Sequence, residues 1–315
     1  MAQQRGATVK IVVGFEETFA TPPTEGFILP INSTTLKPAQ AINAAATLTG
    51  TRNPVQPFRG NKDVGGQIVI PVDTRAMWYW LRAMFGLPVT TGSAAPYLHT
   101  FTVPELQPSL TIEEQMGSLA APRYIRYKGC KISTAAITVG GDGELIMTLT
   151  VVGADFEIAA SSFAASPTPI GLSRVHNFQA AVTEGGATLS NSPQIELNID
   201  MGLDADTFVI GGGGVRGDIN EGILSVGGSV TTLFKDDTLL VKAIDSAESA
   251  LKITVTGNAS SIFELEMPEI NYAVNGPEVP GPQGLRVTLD FQAYHDDGAA
   301  GSAIVARLTN ADAHA

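Results

Sequence analysis

The 315-residue chain has a single cysteine, Cys130, so no disulfide can form within it. Only 16% of its residues are charged, a low fraction for a surface that meets water on every side and an indication of surface reserved for neighbours. Basic residues are scarce where they would matter for nucleic acid. Residues 1–162 balance 12 Lys/Arg against 12 Asp/Glu, whereas residues 163–315 set 7 against 19 and so carry the whole net charge of −12. With no basic cluster to neutralise phosphates, tight nucleic-acid binding is not expected. No run approaches 18 apolar residues, so no transmembrane helix and no membrane insertion are expected. Met1–Gly14 lacks the charged and apolar regions of a secretory signal, and the chain is expected to fold in a cytoplasm. At 44% hydrophobic residues the sequence is that of a folded protein.

Its length suggests two domains, and an internal duplication gives the same answer. Val64-Gly65-Gly66 opens an extended run, Gln67–Val72, followed by a helical pattern from Asp73. Val226-Gly227-Gly228 opens Ser229–Phe234, followed by a helical pattern from Asp236. At this offset of 162 residues Ile68 matches Val230, and Met77, Trp78 and Leu81 match Leu239, Leu240 and Ala243. A second match at offset 140 sets Leu145, Met147, Leu149 and Val151 on Leu285, Val287, Leu289 and Phe291. The surplus in the first half is expected around Gly86–Pro108. The small, proline-containing stretch Ala159–Gly171 is the expected linker between domains 1–162 and 163–315.

Strand patterns dominate, at Thr8–Val13, Leu110–Glu114, Lys131–Val139, Leu145–Val152, Ile195–Ile199, Leu251–Val255 and Phe263–Met267 among others. In Leu285–Ala293, the odd positions from Leu285 are apolar and the even ones polar, which predicts a sheet buried on one face only. Two helices are expected. Asp73 caps the first, Met77, Trp80, Leu81 and Met84 form its apolar stripe with Trp78 at its rim, and Gly86 and Pro88 stop it. Asp236 or Asp237 caps the second, whose stripe is Leu240, Ala243, Ile244 and Ala247. The expected fold is therefore mainly β, two tandem sandwich or barrel units each with one flanking helix.

The chemical motifs are weak. His99, His176, His295 and His314 have no partner at metal-ligand spacing and read as solvent or strand-edge residues. Gly211–Gly214 lacks the lysine that a phosphate loop requires. Arg216-Gly217-Asp218 is too short to carry weight, and Asp200, Asp204 and Asp206 lack calcium-loop spacing. Glu113 and Glu114 are adjacent on a strand, so they point to opposite faces. No catalytic, cofactor or metal residue is assigned.

Several stretches together resemble the major tail tube proteins of long, flexible-tailed bacteriophages, in the group whose chain carries two tube domains. Gly14-Phe15-Glu16-Glu17-Thr18-Phe19-Ala20-Thr21-Pro22 is similar to the family's early segment, and Gly60–Val72 with the helix to Gly86 to its strand-then-helix unit. Leu98–Phe101, Pro108–Ile112 and Tyr127–Ile132 resemble its middle, and Ser192–Leu203 with Arg216–Phe234 its second unit. The resemblance implies a structural virion protein without cofactors or catalytic residues, in which sheets of adjacent chains join edge to edge into an inner barrel. It further implies a trimeric ring of six similar units, rings stacked head to tail, and a location in the virion tail after assembly in the host cytoplasm. The implied partners are tail terminator, tape measure and baseplate proteins and, transiently, DNA. The acidic balance suits a conduit that must not hold DNA, and Asp290 is a candidate for either lumen or outer surface. Another phage structural protein (head decoration or tail terminator) and a two-domain β hydrolase are the competing readings. Sequence offers no carboxylate pair for the hydrolase.

Overall fold

The computed structural model describes residues 3–119, 121–279, 281–298 and 300–314. It is mainly β, with two α-helices among the described residues. The first strands are β1 (Lys10–Phe15), β2 (Phe27–Leu29), β3 (Ser33–Thr34), β4 (Lys37–Asn43) and β5 (Phe58–Pro71), leading to helix α1 (Met77–Phe85). A hairpin follows, β6 (Val89–Thr91) and β7 (Tyr97–Thr102), then β8 (Leu110–Met116), β9 (Arg123–Gly140), β10 (Ile146–Gly153), β11 (Asp155–Ala159) and β12 (Thr168–Pro169). The remainder is β13 (Ala180–Glu184), β14 (Ala187–Thr188), β15 (Gln194–Asp200), β16 (Leu203–Asp204), β17 (Asn220–Glu221), β18 (Ser225–Leu233), α2 (Thr238–Ile244), β19 (Ser249–Asn258), β20 (Ser261–Tyr272), β21 (Arg286–Tyr294) and β22 (Val305–Asn310).

Pairing registers repeat along the chain. Ile68 on β5 faces Leu149 on β10. At the two sequence offsets, Val230 on β18 faces Leu289 on β21. Tyr127 of β9 faces Ile112 of β8, and 140 residues on Met267 of β20 faces Leu251 of β19. The bulge that interrupts β8 between Leu110 and Ile112 recurs in β19 between Ser249 and Leu251. A bulge is a local feature with its own sequence cost, so its recurrence at matching positions strengthens the repeat. The edge strand beside β5 matches as well. Lys37 faces Gly65, and Asn198 of β15 faces Gly227 of β18.

The long strands β9 and β20 each take part in two sheets. The early part of β9 lies between β8 and β11, and its later part between β10 and β15. A single sheet therefore runs β3/β4, β5, β10, β9, β15, β18, β21, β20, with four strand positions from each half of the chain. Its inner face contributes Ile68, Ile70, Met147, Leu149, Ile195, Leu197, Val230, Leu289 and Phe291 to the buried core. Burial of such side chains stabilises by about 1.5–3 kcal/mol each.

Helix α1 is covered on more than one stripe. Met77, Trp78, Trp80, Leu81 and Met84 are all buried, as are Tyr79, Ala83 and Phe85. The Asp73 carboxylate accepts the Ala76 N–H at 2.7 Å and so caps the turn entering the helix. Gly86, at φ +73°, ends it in the left-handed region that glycine tolerates. In α2 the buried side chains are Leu239 and Ala243; Leu240 is half-buried and Ile244 is 60% exposed. The expected stripe is thus shifted by one residue at its start, and it stops early. Ser246 turns into the left-handed region (φ +50°), which places Ala247 beyond the helix.

The expected linker does not run free. Ala164 is buried, β12 pairs with β2 in parallel, and Phe163 N–H donates to Glu113 Oε2. This segment covers the outer face of β8. Glu113 and Glu114 do point to opposite faces, and both are buried. The first half's surplus forms the β6–β7 hairpin, which pairs with β22 from the other end of the chain.

Candidate functional site

Among the described residues no cluster of three His, Cys, Asp or Glu is placed to hold a metal ion, and no helix is long and apolar enough to cross a membrane. Asp200 and Asp204 cap their own turns, accepting the N–H of Gly202 and Asp206. Arg216 is buried: Nη1 donates to Gly153 O, Nη2 to Asp63, and its guanidinium lies over Phe208. The Arg216-Gly217-Asp218 tripeptide is therefore a brace between the two halves and not a presented motif. Gly214 joins it, its carbonyl accepting Lys62 N–H at 2.7 Å.

The histidine expectation needs correction at two positions. His99 is fully buried and contacts Thr90 and Asn310; His314 stacks on Trp78 at 4.4 Å. The two rings lie 5.4 Å apart. The cause is tertiary: β22 returns the C-terminal residues beside β7, over the flank of α1 that carries Trp78. Burial, with His99 adding to it, pushes His314 down to about 4. Glu16 in the early segment is also structural. Its Oε1 accepts Thr111 Oγ1 at 2.7 Å and Gly129 N–H at 2.9 Å, and Oε2 accepts Ala20 N–H at 2.8 Å. A glutamate in the loop just after a strand gives no sequence signal of such a hub.

The feature with functional reach is the long sheet. Its face opposite the core is polar and mostly uncharged. One row across it reads Thr35, Gln67, Thr150, Thr134, Asp200, Ser225. Another reads Thr138, Glu196, Ser229, Asp290. Asp290 is exposed on this face, in the same row as Glu196. In these rows acidic side chains are spaced among hydroxyls and amides, and Arg286 is a single basic side chain on the same face of β21.

Among the described residues both ends of the sheet are open. Beyond β3/β4 no strand follows among the described residues, and the Thr35 N–H already points inward to Gln67 O. At the other end β20 stops at Tyr272. Ala273 N–H still reaches Asp290 O, but the chain from Val274 to Val279 has no ladder partner among the described residues. Pro280 lies outside the described residues. Unpaired sheet ends are normally blunted because they invite pairing with another chain.

No curated protein matches the chain at a significant level. A family model described as phage tail tube protein matches residues 6–293, nearly the full length. The mainly β architecture and open-ended sheet agree with that match, and the chain belongs to the phage tail tube protein family.

Proposed function

We propose that the chain is the building block of a hollow tail tube through which DNA leaves the virion. In this reading residues 1–162 and 163–315 are tandem tube domains meeting near 159–171. Three chains close a ring of six similar units, and rings stack head to tail. The observation that carries it is the sheet itself, with four strand positions per half, a polar face and two unpartnered ends. Three copies placed end to end make a barrel of about 24 strands. At a spacing of about 4.8 Å and a tilt of about 40°, its backbone diameter is roughly 48 Å, wide enough to pass a duplex with its counter-ions.

The chemistry of the wall fits transit. Thr, Ser, Gln and Asn hydroxyls and amides hydrate the surface, and Glu196, Asp200 and Asp290 repel phosphate evenly. A basic wall would trap DNA by counter-ion release. The role is structural rather than catalytic. Tape measure protein occupies the bore before ejection, and terminator and baseplate proteins cap the two ends. Assembly takes place in the host cytoplasm.

Negative-stain microscopy of the purified protein tests this. Open tubes of unlimited length are expected. Single closed rings that never stack point instead to a terminator, and a persistent monomer in all conditions contradicts the reading. In a binding assay at low ionic strength, where attraction is greatest, DNA is expected to bind only weakly.

A further inference from the structure

The chain contains one complete seam between its halves, and the repeat allows that seam to be copied onto the open ends. In the seam, β15 pairs antiparallel with the later part of β9: Ile195 faces Val139, Leu197 faces Ile137, Ile199 faces Ala135 and Asp200 faces Thr134. Both partners have counterparts. Residues of β15 correspond to residues 161 positions earlier, since Gln194 faces Thr231 as Ser33 faces Val69, and Asp200 faces Ser225 as Ala39 faces Asp63. Residues of β9 correspond to residues 140 positions later, since Ile132 faces Val151 as Tyr272 faces Phe291. The β15 counterpart is the outer edge β3/β4, and the counterpart of the late β9 is the unpartnered segment after β20.

We propose that Val274–Val279 becomes a strand when it pairs antiparallel with Thr34–Ala39 of the next chain, in the register Thr34 with Val279, Leu36 with Pro277, Pro38 with Asn275 and Ala39 with Val274. This rests on the tube reading and adds to it the residues and register of the contact. Exposure supports it independently. Val139 is 4% exposed within the seam, whereas its counterpart Val279 is 77% exposed. The alternation also transfers. Thr34, Leu36 and Pro38 turn to the core side as Ile195, Leu197 and Ile199 do, while Ser33, Thr35, Lys37 and Ala39 are exposed like the even positions of β15.

The two seams differ in one respect. In the internal seam Met201 N–H donates to Ser133 O, so the hydrogen-bonding residues of β9 are the alternate ones, Ala135, Ile137 and Val139. Their counterparts are Asn275, Pro277 and Val279. Pro277 brings no N–H, and on the facing edge neither does Pro38. The lost donor opposite Leu36 leaves no orphan, because Leu36 O accepts the Tyr127 hydroxyl at 3.2 Å and Leu36 N–H donates to Thr34 Oγ1 at 3.0 Å. Proline on an edge blunts non-selective pairing. The seam between chains thus has fewer ladder bonds than the seam within them, which keeps the free chain from pairing until ring geometry supplies the rest.

Cysteine cross-linking tests the register. Asp200 and Thr134 form a non-hydrogen-bonded pair, whose side chains lie close enough for a disulfide, so Ala39→Cys and Val274→Cys are the matched substitutions. Cys130 is fully buried and does not interfere. Mixing the two single variants, assembling and oxidising should give a covalent two-chain product, and the double variant a closed three-chain ring. Ala39→Cys with Glu278→Cys, about 13 Å out of register, should give little. Rings visible by microscopy without the 39–274 product, or with the displaced pair favoured, overturn the register and leave the tube reading intact. Absence of any ring from wild-type protein overturns both. Should the variants not assemble, hydrogen exchange on wild-type protein decides: the Asn275 and Val279 amides should slow on the order of 100-fold on assembly. Unchanged exchange there rejects the pairing.

Discussion

Helices α1 and α2 follow matching strands in matching registers, yet one is wrapped and the other is half bare. Around α1, Phe27 packs on Tyr79 at 4.5 Å, Arg82 lies over Phe15 at 3.8 Å, and His314 stacks on Trp78. Gln107 Nε2 donates to the carbonyls of Ala83 and Ile132. Around α2 the polar anchor is Lys242, which bonds the buried Glu184 and Ser249, while Val241 and Ile244 stay exposed. Part of the difference comes from the β6–β7 hairpin and the C-terminal residues, which lie against the first helix and, among the described residues, have no equivalent beside α2. A duplicated unit keeps its strand register because a one-residue slip would turn every core side chain outward. Its helix is held only by what covers it, and so has diverged.

Four substitutions sharpen this contrast. The largest effect is expected from Leu81→Ala in α1, which leaves a cavity among fully buried neighbours and should cost about 2–5 kcal/mol by denaturant unfolding. A loss near zero would mean that α1 is not core. Next, Arg216→Ala should cost about 1–3 kcal/mol, because Gly153 O and Ala205 O lose their donor in the brace between halves. Unaltered stability would show that the halves do not depend on that brace.

The third prediction concerns pH. His314 is held neutral in the fold and titrates near 6.5 when unfolded, so its contribution is complete above about 6.5 and is lost as pH falls toward 4. Asp73 and Glu114, raised by burial to about 6 and about 7, act in the opposite sense, and their contribution is lost as pH rises through those values. They are common to wild type and His314→Phe, so the stability difference between these two proteins isolates the histidine. The variant should gain on wild type between pH 7.5 and pH 5, and a difference independent of pH would contradict the buried-histidine account. The smallest effect is expected from Ile244→Ser in α2, within about 0.5 kcal/mol for the free chain. A large loss would reveal packing that its 60% exposure does not show.

Much of the fold was legible because alternation is a short-range signal. Val287, Leu289, Phe291 and Ala293 are buried as their spacing predicts, and the offsets that align Ile68 with Val230 and Leu149 with Leu289 reappear as the pairing register. What stayed illegible depends on distant chain. His99 reads as a strand-edge residue until β22 and Asn310 return to it, and nothing in the Ala159–Gly171 sequence shows that it packs over Glu113. The seam between β9 and β15 joins residues of ordinary strand composition, and composition does not say which edges meet. The end of α2 carries no sequence mark, because Asp245 and Ser246 terminate it without a glycine or proline at the stop.

The most direct test is a cryo-electron microscopy reconstruction of assembled tubes. Each ring should hold three chains in threefold symmetry with six similar units around the bore, and Glu196, Asp200 and Asp290 should line the lumen. Six whole chains per ring, or a bore lined by the opposite surface of the molecule, would contradict the account.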